Sequence, residues 1–520
     1  MEKNNAHTPI GIAQAGNQSN TQLGEPNVSS RTLYTRDEYH LATLGYRQVF
    51  FRKLGLFENW AATFAGMNFV SGIPVLFAFA MYTAGPAAAF SNWTMVGGLA
   101  CFVAFAMAEI AAALPTAGGI YYWSYRLGGP RWGPFLSWMT AWWNWAGWVT
   151  IVPGVQQGAT NFLISALEIK YPNADVLKKG WFVWILTSLG MVLTMVPNIQ
   201  SQRAIFQTTA NVFDQTYNGI NLGEEKQASD AYSWVISVLF GAWCFYGFDA
   251  SVHLAEETQD ASEVVAKGMW MSTVSAWLLS VPTLIMILFC MQDFEGIINA
   301  HYTNNWAEYL IQLVGEDGAV ALLVMLWIDS TCAAATTFMS AQRVTYAISR
   351  DNVLPGSKYF KIVSQKNHMP INAAFLVFGI SVIICTAVIG STVAFSAITA
   401  TATIATNFSY LFPIVARHTV GKKRFKPAKW NLGRASPYIA AIASMWICFQ
   451  VGVLLLPQLY PVTGKTLNYA PVMIGGVTLI SVVGWWLPFE KGGRYWFKGP
   501  QRTISKEEVE NGRMMDEDED

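Results

Sequence analysis

Residues 244–258 read CFYGFDASVHLAEET. An aromatic, uncharged run takes on Asp249, His253, Glu256 and Glu257 at helical spacings of three and four. Acidic groups and a histidine on one helical face could converge on a metal or a reacting group, which needs side chains aimed at one point and an open coordination position. A helix leaving a lipid bilayer acquires the same charges. What surrounds the stretch decides between the two.

The surroundings read as membrane. The 520-residue chain is 53% hydrophobic and 13% charged, where a soluble domain carries about 25% charged residues. Uncharged runs of roughly 18 or more residues recur, long enough to cross ~30 Å of hydrocarbon. The expected organisation is a polar amino-terminal tail over 1–58, a transmembrane domain over 59–490 and an acidic carboxy-terminal tail over 491–520. Residues 1–30 have no apolar core, so they read as a disordered cytoplasmic tail rather than a signal peptide. With 33 basic and 33 acidic residues, the net charge of zero suggests no nucleic-acid partner; the apolar runs make a lipid bilayer the expected partner. The six cysteines are scattered through apolar runs without paired spacing and read as small packing residues. The oligomeric state is left open.

Candidate spans cover 60–84, 93–114, 133–165, 181–199, 231–254, 268–292, 319–345, 371–391, 393–417, 436–457 and 467–488. Basic residues mark inside loops. Arg47, Arg52 and Lys53 precede the first span, Arg126 and Arg131 follow the second, and Arg343, Arg350, Lys358, Lys361 and Lys366 follow the seventh. Loops 85–92 and 293–318 carry no Lys or Arg and read as outside. From the inside loop near 130 to the inside loop near 350 the number of crossings must be even, yet five spans fill that interval. The missing crossing is a shortened span near 203–222 or, alternatively, a division of 133–169 around Pro153–Gly154. The first is preferred.

Two spans are interrupted in mid-membrane. One reads FAGMNFVSGIPVLF (64–77), with Gly66, Gly72 and Pro74 at its centre; the other is the opening stretch, with Gly247 after two aromatics. Unwinding in lipid exposes backbone groups and is tolerated only where they line a protein cavity. Transporters place substrate and ion sites at such breaks. A single break could be ordinary membrane-helix glycine and proline; two, each leading its own set of five spans, favour transport.

The segment AEIAAALPTAGGIYYWSY (108–125) resembles a signature of the amino acid–polyamine–organocation superfamily. FDASVHLAEET (248–258) and SRDNVLPGSKYFK (349–361) resemble motifs of its fungal amino acid/choline branch, which includes GABA permeases. The resemblance runs from about 40 to 490. It implies an all-α polytopic fold of the LeuT type, two inverted five-helix repeats plus two extra helices, with substrate at the unwound centres of helices one and six. It also implies a secondary transporter of amino acids or related small amines, GABA- or choline-like, needing no cofactor and driven by the proton gradient. The plasma membrane is favoured over an internal organelle, with both termini cytoplasmic. One departure stands out: the fifth of twelve helices should occupy about 203–225, where ANVF runs into DQTYNG with no apolar continuation. In several relatives that helix takes part in coupling. A transporter-like nutrient sensor without net transport is the alternative.

The expected substrate-binding residues are Gly66, Met67, Asn68, Phe69, Ser71 and Gly72 in the first break, and Phe245, Tyr246, Gly247, Phe248 and Asp249 in the second. The aromatics Trp243, Phe245, Tyr246 and Phe248 are either packing or a cage for an amine, and not all four can face one substrate. Asp329, mid-span, is a coupling or charge-balancing candidate because an ionisable group at that depth is costly unless paired; a bond to Ser330 or Thr331 is its plainer reading. Glu109 is a gating candidate or, more simply, a structural pairing. Asn144, Gln156 and Gln157 either line the path or bridge helices. Arg343 and Arg350 read as anchors of their helix end, and His253, Glu256 and Glu257 as the helix leaving the membrane.

Overall fold

Glycine and proline set where the long apolar runs turn. Within Phe69–Ala113 two helices meet at a kink, so the expected outside loop 85–92 shrinks to one residue: only Gly85 leaves helical geometry, at φ 79°, and Pro86 resumes the helix. Glycine accepts a left-handed backbone, and proline's missing N–H is no loss in a first turn. Gly129 and Pro130 repeat the device inside Gly119–Lys170, and Gly315 turns Trp306–Arg350 at φ 73°. A computed structural model describes residues 33–50, 52–195, 217–222, 227–364, 369–390, 394–464, 466–488, 492–504 and 513–514.

Among these, the crossings are 56–84, 86–113, 130–170, Gly180–Met195, 230–253, Ala261–Phe289, 316–350, Ile371–Cys385, Ala394–His418, Ser436–Leu454 and Ala470–Trp486. The division around Pro153–Gly154 does not occur, because the helix is unbroken through both residues. Gly154 instead lets Trp243 approach: a Cβ there would stand 2.9 Å from the indole. The expected crossing near 203–222 lies mostly outside the described residues. Its end, 217–222, is not helical. Tyr217 and Gly219 N–H groups bond to Ala84 and Tyr82 carbonyls at 3.2 and 2.9 Å, and Leu222 N–H to Tyr460 at 2.7 Å. This short stretch buries Ile220 and takes backbone partners from residues beside the turn at Gly85 and from Tyr460.

The turns at Gly85 and Gly315 lie on one face, called here the far face. The loops at 114–119, 254–260 and 350–364 lie on the opposite, tail face with both tail segments. There Leu33–Tyr34 pairs in parallel with Arg513–Met514, and Thr503 N–H bonds to Gly45 O at 2.8 Å. The perimeter exposes Leu278, Met325, Ile383, Met445 and Leu479, an apolar belt suited to lipid. The two interrupted segments lie at the centre. Trp93, Trp148, Phe77 and Phe248 are buried around them.

Candidate substrate site

Met67 ends one helix and Phe69 begins the next, with Asn68 between them at φ 26° and ψ 68°. A left-handed residue with a side chain costs roughly 1–2 kcal/mol, and Asn is among the few whose short polar side chain compensates by local hydrogen bonding. Asn68 Nδ2 donates to Ser71 Oγ and to Asp329 Oδ2, both at 2.8 Å. The partner of Asp329 is thus the broken helix, not Ser330 or Thr331, whose hydroxyls bond to nothing among the described residues. Helix ends at such a break leave N–H and C=O groups without intrahelical partners. Gly66, Met67, Asn68, Ser71 and Gly72 border a cavity of about 40 Å³ beside it.

The second break runs from 243 to 249, between helices Val238–Ala242 and Ala250–His253. Gly247 sits at φ 81°, and its N–H donates to the Tyr410 hydroxyl at 3.2 Å. Trp243, Tyr246 and Gly247 face the same cavity, which Val75, Trp148, Ile151, Val155, Ser330, Ala333 and Thr337 complete. The lining is aromatic and hydroxylic, with no charged side chain in it.

The remaining residues assigned to binding from sequence stand elsewhere. Phe69 packs on Phe64, Phe245 on Trp93 and Phe248 on Tyr410, with ring centroids 5.9, 5.1 and 5.2 Å apart. Asp249 is fully buried and does not border this cavity. Its Oδ2 accepts from Trp148 Nε1 at 3.0 Å and Asn144 Nδ2 at 3.1 Å and faces His253 Nε2 at 3.0 Å; its Oδ1 accepts from Tyr410 OH at 2.6 Å. Asn144 therefore bridges helices, while Gln156 packs against Gly190. Glu109 lies near the tail face, accepting from the Ser436 hydroxyl with Arg417 Nη2 3.8 Å away: a pairing of helix ends.

His253 and Glu256 are enclosed by protein, 2% and 1% exposed, rather than facing solvent or lipid headgroups. Glu256 pairs with Arg350 at 3.1 Å, and the Arg350 guanidinium lies 4.0 Å over the Tyr46 ring. Glu257 pairs with Arg343 at 2.8 Å. A buried carboxylate needs such a partner, and here the partners lie almost a hundred positions along the chain. Asp351 accepts from Tyr121 OH at 2.7 Å and from Gln501 N–H at 3.0 Å; burial pushes its carboxyl up, with Arg350 opposing. Together these contacts close the tail face beneath the cavity. Towards the far face, one turn above Val75, a wider opening of about 360 Å³ is bordered by Ala78, Phe79, Tyr82, Asn305, Gln458 and Asn468. Among the described residues no group of His, Cys, Asp or Glu gathers as a metal would require.

Sequence reasoning missed Trp148, Ile151 and Val155, since Trp148 ends a run, WWNWAGW (142–148), that reads as an interfacial belt. Ser330, Ala333 and Thr337 had a usable signal: small residues repeat at helical spacing in STCAAATTF (330–338), the kind of face that lets helices pack closely.

A profile of the amino acid permease family matches residues 57–478. The chain belongs to the amino acid permease family. It lies within the amino acid–polyamine–organocation superfamily, as its three motifs imply. The permease is 29% identical to "Thiamine transporter thi9" of Schizosaccharomyces pombe, over 86% of this chain and 85% of that one. It is 30% identical to "Amino-acid permease BAT1 homolog" of Oryza sativa subsp. japonica, over 88% and 94%. It is 24% identical to "Putative polyamine transporter" of Candida albicans, over 93% and 92%. Membership makes it an integral membrane transport protein for amino acids or amines.

Proposed function

We propose that the permease is a secondary active transporter of amino acids or related small amines, GABA- or choline-like, working by alternating access and driven by the proton gradient. One observation carries this reading: a small cavity between two helix breaks is closed towards the tail face and overlooked by a wider opening on the far face. Half-helix ends at the breaks offer backbone donors and acceptors to a carboxylate or an ammonium group. Trp148, Trp243 and Tyr246 offer ring faces to a cation, and Asp329 supplies a negative charge behind Asn68. The basic loops support a cytoplasmic tail face, and the plasma membrane is the favoured location.

The test is uptake by the purified full-length protein in proteoliposomes, with a pH gradient and then with a proton ionophore. The panel is labelled 4-aminobutyrate, choline, neutral and basic amino acids, spermidine and thiamine, the last two because relatives carry those names. Accumulation of an amine or amino acid that collapses with the ionophore is expected. Binding of a panel member without accumulation would instead make the protein a sensor.

A further inference from the structure

The buried Asp249–His253 pair lies outside the substrate cavity, yet it touches what forms that cavity and what closes the tail face. On the cavity side, Asp249 holds Trp148 through its indole N–H, and Tyr410 ties its other oxygen to the Gly247 N–H. On the tail side, His253 Nδ1 stands 3.3 Å from the carbonyl oxygen of Ala117. The Ala117 N–H donates to Glu256 Oε1 at 3.3 Å, and Glu256 pairs with Arg350. Hydrogen-bonded groups thus lead from Trp148 and Gly247 through Asp249, His253, Ala117 and Glu256 to Arg350.

The imidazole in this chain faces two acceptors. A carbonyl oxygen only accepts, as does an ionised carboxylate, whereas a neutral imidazole has a single N–H. Both contacts of His253 are hydrogen bonds only when the pair carries one proton more than carboxylate plus neutral imidazole. Asp249 already accepts from Trp148, Asn144 and Tyr410, an arrangement that favours the ionised carboxylate, so the additional proton resides on the imidazole. When it leaves, the remaining N–H stays on Asp249, the Ala117 contact is lost, and Ala117 is free to withdraw with its bond to Glu256.

We propose that Asp249 and His253 hold the coupling proton and position the tail-face gate: the pair is protonated while Ala117 is seated, and the proton departs towards the tail face as Ala117 withdraws. This rests on the transporter reading above and names the coupling residues within it. It also suits a chain whose fifth-helix region is polar. Of the titratable and charged groups around the pair, Tyr410 contacts it directly. Glu256 and Glu257 follow on its own segment and are matched by Arg350 and Arg343 of the 316–350 crossing. On the other packed helices, Glu263 pairs with Lys267 and Glu58 caps the Gly55 N–H. Glu256, Glu257 and Glu263 are thus each matched by a cation, while Asp351, beside Arg350 on the tail face, is pushed up by burial; the His253→Gln variant below separates the imidazole from that carboxyl.

The test uses the full-length protein in proteoliposomes, with Cys290, Cys332 and Cys448 replaced by Ser and Ala117→Cys introduced. Only the backbone of Ala117 takes part in the chain of bonds. A membrane-impermeant maleimide is applied from the tail side, and labelling is normalised to Lys361→Cys, an exposed position on the same face, to remove the intrinsic pH dependence of the thiol. Normalised labelling should rise at least about fivefold as the pH is raised from about 5.5 to about 7.5. His253→Gln should flatten that profile. Tyr410→Phe, which takes one donor from Asp249 and leaves both titratable groups, should move the midpoint to higher pH. A flat parent profile, or one that His253→Gln leaves unchanged, overturns the proposal. If His253→Gln does not elute as a folded species, an unmoved midpoint in Tyr410→Phe overturns it instead. No substrate flux enters these readings. Failure of the transporter reading would appear separately, as absent uptake with the pH-dependent gate intact.

Discussion

The two helix breaks at the centre of the permease are built differently. The first leaves helical geometry at one residue, Asn68, whose amide reaches across to Asp329 and whose neighbours border the cavity on several sides. The second departs from 243 to 249, presents Trp243, Tyr246 and Gly247 to the cavity, and keeps Phe245, Phe248 and Asp249 for packing and hydrogen bonds beneath it. A short break with a polar hinge concentrates exposed backbone where a ligand can use it. A long, buried one can touch the cavity with one part and the gate with another. The first break borders the cavity on several sides, and the second also reaches towards the ion pairs of the tail face.

That contrast can be broken by substitution. The largest effect is expected from Arg350→Ala, which strands the buried Glu256 carboxylate; losing one member of such a pair costs about 3–5 kcal/mol. Thermal melting of the detergent-solubilised protein should fall sharply, and a change no larger than that of a surface pair would separate the second break from the tail face. Gly247→Ala comes next. Its Cβ would meet nothing nearer than Trp148 at 3.7 Å, so the roughly 1–2 kcal/mol cost is that of left-handed backbone alone, and both melting temperature and uptake should drop. At the first break, Asn68→Gly relieves strain while removing the bond to Asp329, so stability should move by under about 1 kcal/mol while uptake falls. Equal losses of stability at Asn68 and Gly247 would erase the distinction. Asp329→Asn should cut uptake at unchanged expression, and undiminished uptake would remove that carboxylate from the mechanism. The smallest effect on transport belongs to Phe69→Leu, which faces Phe64 rather than the cavity: stability should fall by less than about 1.5 kcal/mol with no change in apparent substrate affinity.

Much of the site was legible because glycine, proline and asparagine in an apolar helix are costly and therefore informative. Gly66, Asn68, Ser71, Gly72 and Gly247 could be assigned to two breaks from their positions alone, and all border one cavity. The aromatics of the second break could not be sorted in that way. Trp243 and Tyr246 turn to the cavity while Phe245 and Phe248 turn to Trp93 and Tyr410, because the backbone between 243 and 249 follows no repeating period from which a facing direction could be read. The charges after His253 were misplaced for a related reason. A carboxylate near a span end looks the same in a sequence whether water or a distant arginine neutralises it.

The sequence by itself determined a bundle of membrane-crossing helices, the places where two of them break, and the superfamily. The first two follow from apolar run length and from residue types whose backbone preferences are local, and the superfamily from the resemblance of three motifs. Only the tertiary structure decided that Asp249 lies beneath the cavity rather than in it. It also decided that Glu256 and Glu257 are ion-pair partners of Arg350 and Arg343, and that His253 stands between two acceptors. Each of these depends on which distant segment supplies the neighbouring atom, and a buried charge is defined by that neighbour.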